Sequence, residues 1–347
     1  MNLRSRKFRF FALALVAGLG LGLAGCGKGC GKAGVGKQEG LTLIPSDSNV
    51  VVGVNWKKVQ ESPMGAKLLE GVPPEAQPFL KDVDNLVLGV KATPMGGSPK
   101  DFVGVVSGKL DTAAMVKQMG DQAQKSGATM TDEDYEGVKI YSTSKDPDIA
   151  VAMLDSQAVF GSKDSVKRAL DLAKKKGDSV EKNKEVMDLI NGMDKGKMVW
   201  AVATIPPGSI PAGGGGGMGN PLSSLESVKA LDLALDYNQN LTLDLGVITG
   251  SKEDAQQMMT MANSYKTLFG GSVASKSPEL GKILGGLSID AKENKVVLAL
   301  KLDQATVEDL ANKAKQKQGA MPMGMDEGMG APAPAVPGTP ETAPSAP

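Results

Sequence analysis

The hydrophobic and polar positions of this chain repeat one arrangement, in which two short strands precede an amphipathic helix. The clearest copy begins at Val228, and its apolar residues alternate with other residues on both sides of a turn over residues 236–240. These residues are Leu231, Leu233, Leu235, Leu241, Leu243, Leu245 and Val247. Such alternation predicts a hairpin with one buried face. Ser251 then has the character of a helix N-cap, because apolar residues follow it at helical spacing. They are Ala255, Met258, Met259 and Ala262.

Three further copies follow the same pattern. Their pairs of predicted strands cover residues 86–90 and 102–106, 149–154 and 158–160, and 287–289 and 296–302. The helices after them begin near Asp111, near Ser162 and at Gln304. Additional strands are predicted at 50–54, 138–141 and 199–203. Trp56 and Trp200 are expected to lie in hydrophobic cores.

The positions of the predicted helix starts indicate an internal duplication. Those near residues 111 and 251 lie about 140 residues apart, as do those near 162 and 304, and such a fixed spacing is typical of a repeated module. Hairpins followed by helices predict an α+β fold, with an antiparallel sheet and helices collected on one face. A parallel, doubly wound fold is disfavoured, because its single strands would alternate with helices.

The first 26 residues have a different pattern, which is typical of a secretory signal peptide. They open on a basic head: Arg4, Arg6, Lys7 and Arg9. An uncharged apolar run of about 15 residues follows, shorter than the roughly 18 that a spanning helix needs. The run ends in Leu23-Ala24-Gly25-Cys26, which resembles the lipobox of bacterial lipoproteins. An uncleaved anchor is the alternative interpretation.

The resemblance to bacterial lipoproteins implies a lipid anchor. It implies that a signal peptidase removes residues 1–25 and that Cys26 becomes the N-terminus, carrying acyl chains such as palmitate. Two or more chains form a stable anchor, whereas one is marginal. In Gram-negative lipoproteins an aspartate after the cysteine often retains the protein at the inner membrane, and here the residue is Gly27. The expected location is the cell envelope, with the outer membrane favoured.

Composition divides the chain into six segments. The expected boundaries are the signal peptide at 1–25, a Gly-rich tether at 26–40, a first α+β half at 41–204, a Pro/Gly-rich linker at 205–224, a second α+β half at 225–318 and a disordered tail at 319–347. The tail is rich in Met and Gly and then in Pro and Ala. The pattern leaves open whether the two halves share one sheet.

Charge and residue usage exclude several function classes. Residues 1–25 hold four of the 39 basic residues and no acidic one, so the processed chain carries a net charge of −4. Arg168 is then the one arginine left, and arginine dominates phosphate and base-edge recognition, so nucleic acid is not an expected partner. The absence of histidine excludes Ser-His-Asp and Cys-His catalysis. With Cys26 acylated, Cys30 is left as a free thiol or for intermolecular pairing.

Several motifs resemble sites without completing one. Residues 31–37 match most of a P-loop, but Gln38 stands where Ser or Thr should bind magnesium, and the Gly-x-Gly-x-x-Gly match at 20–25 lies within the signal. Residues 142–145 and 179–182 both read Ser-x-x-Lys, at the frequency that chance predicts. The acidic residues at 132–136 are interpreted as a solvated connector rather than a calcium site. The methionines at 321–329 are interpreted as low-complexity sequence rather than a Cu(I) site.

These observations predict a non-catalytic, lipid-anchored envelope protein that acts as a binding or scaffold module. No catalytic residue, cofactor or metal is expected, and the partners are the membrane, through the acyl chains on Cys26, and an envelope protein or an apolar ligand. The alternative is a periplasmic carrier, because a curved sheet under helices can enclose a cavity lined by Met and aliphatic residues. A serine-lysine hydrolase ranks third, resting on Lys145 or Lys182.

Overall fold

The alternating segments of the sequence form strands that pair in antiparallel fashion. A computed structural model describes residues 40–63, 65, 69, 72, 74, 77–92, 101–206 and 226–319. The predicted signal peptide, Cys26, the tether before residue 40, and most of the predicted linker and tail lie outside these residues. The strands are β1 Val50–Asn55, β2 Val83–Lys91, β3 Asp101–Gly108, β4 Met130–Tyr135, β5 Val138–Thr143, β6 Asp146–Met153, β7 Gln157–Ser162, β8 Val199–Thr204, β9 Val228–Tyr237, β10 Asn240–Thr249, β11 Leu287–Lys292 and β12 Lys295–Asp303.

The helices begin where polar caps and apolar periodicity place them. They are α1 Trp56–Glu61, α2 Gln77–Lys81, α3 Thr112–Lys125, α4 Lys163–Ala173, α5 Lys184–Asn191, α6 Lys252–Lys276, α7 Pro278–Gly286 and α8 Gln304–Gly319. Asp111, Ser251 and Asp303 each accept a hydrogen bond from the backbone N–H three residues later, at 2.9, 3.1 and 2.7 Å. These bonds satisfy N–H groups that the first turn leaves free. Ser162 precedes α4 and donates instead to the Ser165 hydroxyl, at 2.8 Å.

Both halves of the chain contribute to a single twelve-stranded sheet. Its order is β11-β12-β10-β9-β8-β1-β2-β3-β7-β6-β5-β4, and every pairing is antiparallel. The halves meet where β8 pairs with β9, with Val199 opposite Leu235. The predicted α+β class with an antiparallel sheet is confirmed, and the open question of one sheet or two is answered by this pairing.

Strand order repeats between the halves as the duplication hypothesis predicts. In the first half two hairpins lie in the order β2-β3-β7-β6, and in the second half the order is β9-β10-β12-β11. A helix follows the first hairpin in each case, α3 in one half and α6 in the other. The hairpin β4-β5 is an addition to the first copy. The helices that close the copies differ, because α4 and α8 pack on opposite faces of the sheet.

Helices cover both faces of the sheet in the first half, where one covered face was expected. Val51 packs in a core with Ala169 of α4 and Ile190 of α5, whereas Val54 packs in a second core with Val59 of α1. Alternate residues of β1 point to opposite faces. The apolar run over residues 50–54 therefore belongs to a strand that is buried on both faces. The sequence pattern predicted the strand but not its burial on both faces.

Helices of the second half contact one face, as predicted. Leu235, Leu243 and Leu300 lie opposite one another on neighbouring strands, and they pack with Ile283 of α7 and Leu310 of α8. Further along the same face, α6 packs through its four periodic apolar residues. They are Ala255, Met258, Met259 and Ala262. The chain divides into a unit ending at Ala311 and a C-terminal unit of residues 312–347, of which residues 312–319 are described.

The two tryptophans lie in different cores of the first half. Trp200 is fully buried and lies across Gly53 of the neighbouring strand, where a Cβ would stand 2.1 Å from its ring. Trp56 is buried at the start of α1, and its indole N–H donates to the Leu80 carbonyl at 2.8 Å. Their expected placement in hydrophobic cores is confirmed.

Candidate functional site

The two Ser-x-x-Lys motifs do not bring a serine and a lysine together. The Ser142 hydroxyl lies 3.1 Å from the Thr131 hydroxyl, while Lys145 donates to the Ser126 carbonyl at the end of α3. Ser179 precedes a 3₁₀ turn over residues 180–182, and Lys182 pairs with Asp178 at 3.6 Å. A lysine acting as general base must reach the serine hydroxyl at hydrogen-bond distance. Neither motif has that geometry.

The acidic residues at 132–136 belong to a strand and a turn, not to a solvated connector as predicted. Residues 130–135 form β4, the edge strand, and a turn at Glu136 and Gly137 with positive φ at both residues joins it to β5. This is the geometry of a type I′ hairpin turn. The run of carboxylates conceals the period-two pattern on which strand prediction depends.

Each of three carboxylates in this region is neutralised by lysine. Glu133 pairs with Lys163 and Lys167 of α4, at 2.7 and 2.9 Å. Glu136 pairs with Lys176 and Lys174, at 2.6 and 3.2 Å. Asp132 pairs with Lys139 at 2.6 Å. The hydrogen bonds from these lysines hold the pKa of Glu133 and of Glu136 below the ordinary value of 4.5.

The ion pairs of Glu133 attach the β4-β5 hairpin to α4, and those of Glu136 attach it to the residues that follow this helix. The Tyr135 hydroxyl adds to them by donating to the Asp171 carboxylate, at 3.1 Å to the nearer oxygen. Within the described ranges, no group of three or more His, Cys, Asp or Glu side chains has an arrangement that could hold a metal ion.

Arg168 is held in an ion pair that lines a small surface depression. Its guanidinium and the Lys91 ammonium both pair with Asp47. Partial burial would raise the pKa of Asp47, but hydrogen bonds from Arg168 and Lys91 outweigh burial and lower that pKa. The cavity volume of the depression is only about 10 Å³, and it is lined by charged and polar residues as well as apolar ones. Ligand pockets are larger, from about 300 Å³, and mostly apolar.

A strip of exposed apolar side chains runs along the second half of α6 and onto α7. We define this apolar strip by four residues. They are Tyr265, Leu268, Phe269 and Leu280, with 44, 72, 54 and 48% of their surface exposed. The rings of Tyr265 and Phe269 stack at 5.8 Å between centroids, with 18° between their planes. Among the described residues, these four are the large apolar side chains that are exposed to solvent.

The α6 part of the apolar strip lies in a stretch of sequence without acidic residues, whereas Glu279 directly precedes Leu280 in α7. Residues 255–278 contain no aspartate or glutamate. Lys266 lies on the half-buried side of α6, where it donates to the Leu287 carbonyl of β11. The apolar periodicity of α6 predicted its buried residues and not the strip. The available signal was a tyrosine and a phenylalanine four positions apart in a chain that is 4% aromatic.

The predicted lipidation residue, Cys26, lies outside the described residues. In the part of the chain that the structure describes, no helix combines the length and the hydropathy needed to cross a membrane.

Comparison with known proteins gives distant similarities and no family. No family model matches the chain. An uncharacterized protein of Methanocaldococcus jannaschii is 24% identical over 204 residues, which are 57% of this chain and 69% of that protein. Crystal form III of TP0453 is similar with a TM-score of 0.48 and 11% identity, covering 80% of this chain and 97% of that one. Crystal form I gives 0.46 and 10%, covering 82% and 99%.

Proposed function

We propose that this chain is a lipid-anchored protein of the cell envelope, held by acyl chains on Cys26, that binds or supports a partner without catalysis. The observation that carries the proposal is the N-terminal sequence, in which a basic head and an apolar run end in Leu23-Ala24-Gly25-Cys26. Gly27, in place of an aspartate, supports the outer membrane as the location.

The geometry of the described residues supports a binding role over the hydrolase. The serines of both Ser-x-x-Lys motifs lie apart from their lysines, and the charged side chains around β4 and Asp47 are engaged in structural ion pairs. The apolar strip, in contrast, keeps apolar side chains in unfavourable contact with water. Exposed apolar patches on soluble domains commonly mark interaction sites.

The test of the anchor is metabolic labelling in a Gram-negative host with an alkyne analogue of palmitate. The Cys26→Ala variant is expected to lose the label, and the matched Cys30→Ala variant is expected to keep it. Inhibition of the lipoprotein signal peptidase should cause a precursor longer by 25 residues to accumulate. Label that survives Cys26→Ala, or a precursor that never shortens, would contradict the anchor.

A carrier of an apolar ligand is the competing function, and mass spectrometry separates the two. The depression beside Asp47 is small and lined in part by charges, which supports the binding module. The unlipidated chain should show its bare mass under native conditions. A mass excess that matches a lipid and disappears on denaturation would instead establish the carrier.

A further inference from the structure

The apolar strip leaves large side chains in water with no described residue covering them. Leu268 is the most exposed, and it lies three residues after Tyr265, which stacks on Phe269. Nothing forces these residues outward by strain, because α6 is a continuous helix from Lys252 to Lys276. A helix that exposes leucine and two aromatic rings together has the composition of a contact surface.

The composition around the strip fits a lipid interface. The two turns after Phe269 consist of small residues with one valine and end at Lys276. No carboxylate occurs from residue 255 to residue 278, so α6 places no acidic side chain of that stretch beside lipid phosphates. The Glu279 carboxylate, next to Leu280, accepts a hydrogen bond from the Ser277 hydroxyl at 3.0 Å. Helices that lie in the plane of a membrane surface combine leucine and aromatic residues on one face with lysine on the other. Tyrosine is enriched at that depth because its ring is apolar and its hydroxyl polar.

The proposed anchor and tether hold the whole fold near a bilayer, which makes lipid the occupant we commit to for the strip. The described fold begins at Gly40, so about 14 residues separate it from Cys26. A Gly-rich chain of that length reaches roughly 20 Å on average. The fold is then held close to the bilayer, where even a weak surface contact is favoured by its high effective concentration.

We propose that the apolar strip of α6 and α7 lies in the headgroup region of the lipid bilayer, as a second and reversible membrane contact beside the acyl anchor. This inference rests on the proposed function, because the anchor and tether are what bring the strip to a membrane. A partner protein or a second copy of the chain would have to cover the strip with a surface of its own. Each of these two occupants is an outcome of the test below.

The test measures flotation of the unlipidated chain, from residue 26 with Cys26→Ser, on vesicles of phosphatidylethanolamine and phosphatidylglycerol. The parent chain should bind, and the variant Leu268→Ser with Phe269→Ser should bind at least about tenfold more weakly, the ratio that about 1.4 kcal/mol represents. Gln256→Ser with Gln257→Ser is the matched control, because both glutamines are exposed on the N-terminal half of the same helix. It should bind like the parent. Equal flotation of all three chains, or flotation of none, would overturn the proposal.

A second readout places the strip itself in the lipid. Trp56 and Trp200 are buried, so a tryptophan introduced by Phe269→Trp supplies the solvent-exposed emission. Vesicles should shift that emission to the blue, and brominated lipid should quench it. An emission that vesicles do not shift would contradict a lipid contact. So would self-association of the parent without any lipid, if the Leu268→Ser, Phe269→Ser variant abolished it. Because this chain carries no acyl group, the result does not depend on whether Cys26 is lipidated, and labelling of Cys26 tests the anchor separately.

Discussion

At the scale of single residues, aromatic rings lie across glycines on the neighbouring strand. Gly53 pairs directly with Trp200, and Gly104 pairs directly with Phe160. A Cβ on either glycine would stand within about 2 Å of the ring, at 2.1 and 2.2 Å. The missing side chain lets the ring lie flat on the sheet and bury its full face. A chain with few aromatic residues thereby obtains large buried areas from two of them.

Gly53→Ala should destabilise the protein by about 2 kcal/mol or more, because the new methyl group overlaps the Trp200 ring in a filled core. Gly271→Ala is the control, since nothing lies within 4 Å of a Cβ at that position in α6. It should stabilise by about 0.5–1 kcal/mol through helix propensity. Urea denaturation measures both changes, and a Gly53→Ala midpoint equal to that of the parent would refute the overlap.

The ion pairs of Glu133 and Glu136 predict a loss of stability in acid. Their pKa values are lowered by lysine partners in the folded state, so their stabilisation is present above the ordinary value of 4.5 and is lost as pH falls through the folded pKa. The double variant Glu133→Gln, Glu136→Gln should melt below the parent at pH 7. The difference in Tm between the two chains should narrow progressively below pH 4.5. A constant difference across that range would contradict this assignment.

At the scale of helices and strands, predictions were correct where apolar residues recur with a regular period. The hairpin around residues 236–240 and the caps at Asp111 and Ser251 follow from alternation and from local hydrogen bonding. The strand β4 was missed because its carboxylates conceal the period-two pattern, and the lysines of α4 that pair with Glu133 lie far along the chain. The apolar strip was missed because helical periodicity identifies the face of a helix that can be buried. How much of that face stays exposed depends on where the neighbouring strands and helices end.

The edge strand β11 is protected by side chains of α6. A two-residue turn makes Lys292 and Lys295 a hydrogen-bonded pair, so the carbonyls of Leu287 and Ile289 face away from β12. Lys266 and Asn263 donate to those two carbonyls, the latter at 3.2 Å. Unpaired edges invite strand addition by other chains, and these contacts oppose it.

Asn263→Ala with Lys266→Ala should increase self-association, because the outer carbonyls of β11 become available to another strand. Each lost hydrogen bond should also cost about 1 kcal/mol of stability. Sedimentation velocity over a concentration series measures the association, with Thr260→Ala and Ser264→Ala as exposed controls on the same helix. Association no stronger than that of the controls would show that the edge is protected by other means.

At the scale of the whole molecule, the sheet joins the two halves into one structure up to Ala311. The core around Met198 and Val199 of the first half includes Tyr237 of the second, and β8 pairs with β9 along six residues of each strand. Such sharing makes the stability of each half depend on the other. The repeated strand order therefore does not divide the sheet into independent domains.

Leu241→Ala should lower the unfolding midpoint reported by tryptophan fluorescence, although both tryptophans lie in the first half. Leu241 is fully buried on β10, and its truncation should cost about 2–5 kcal/mol. Circular dichroism, which reports all helices and strands, should give the same midpoint. A fluorescence transition that stays at the parent's midpoint would mean that the halves unfold separately.

The position of β1 in the sheet also determines when, during folding, the sheet can be completed. This strand lies between β2 and β8, and Val54 pairs with Val199, about 145 residues later in the chain. A chain that crosses a membrane with its N-terminus first delivers β1 long before β8. Throughout that interval one edge of an apolar strand stays open, so under the proposed export this edge needs a chaperone that shields it until β8 arrives.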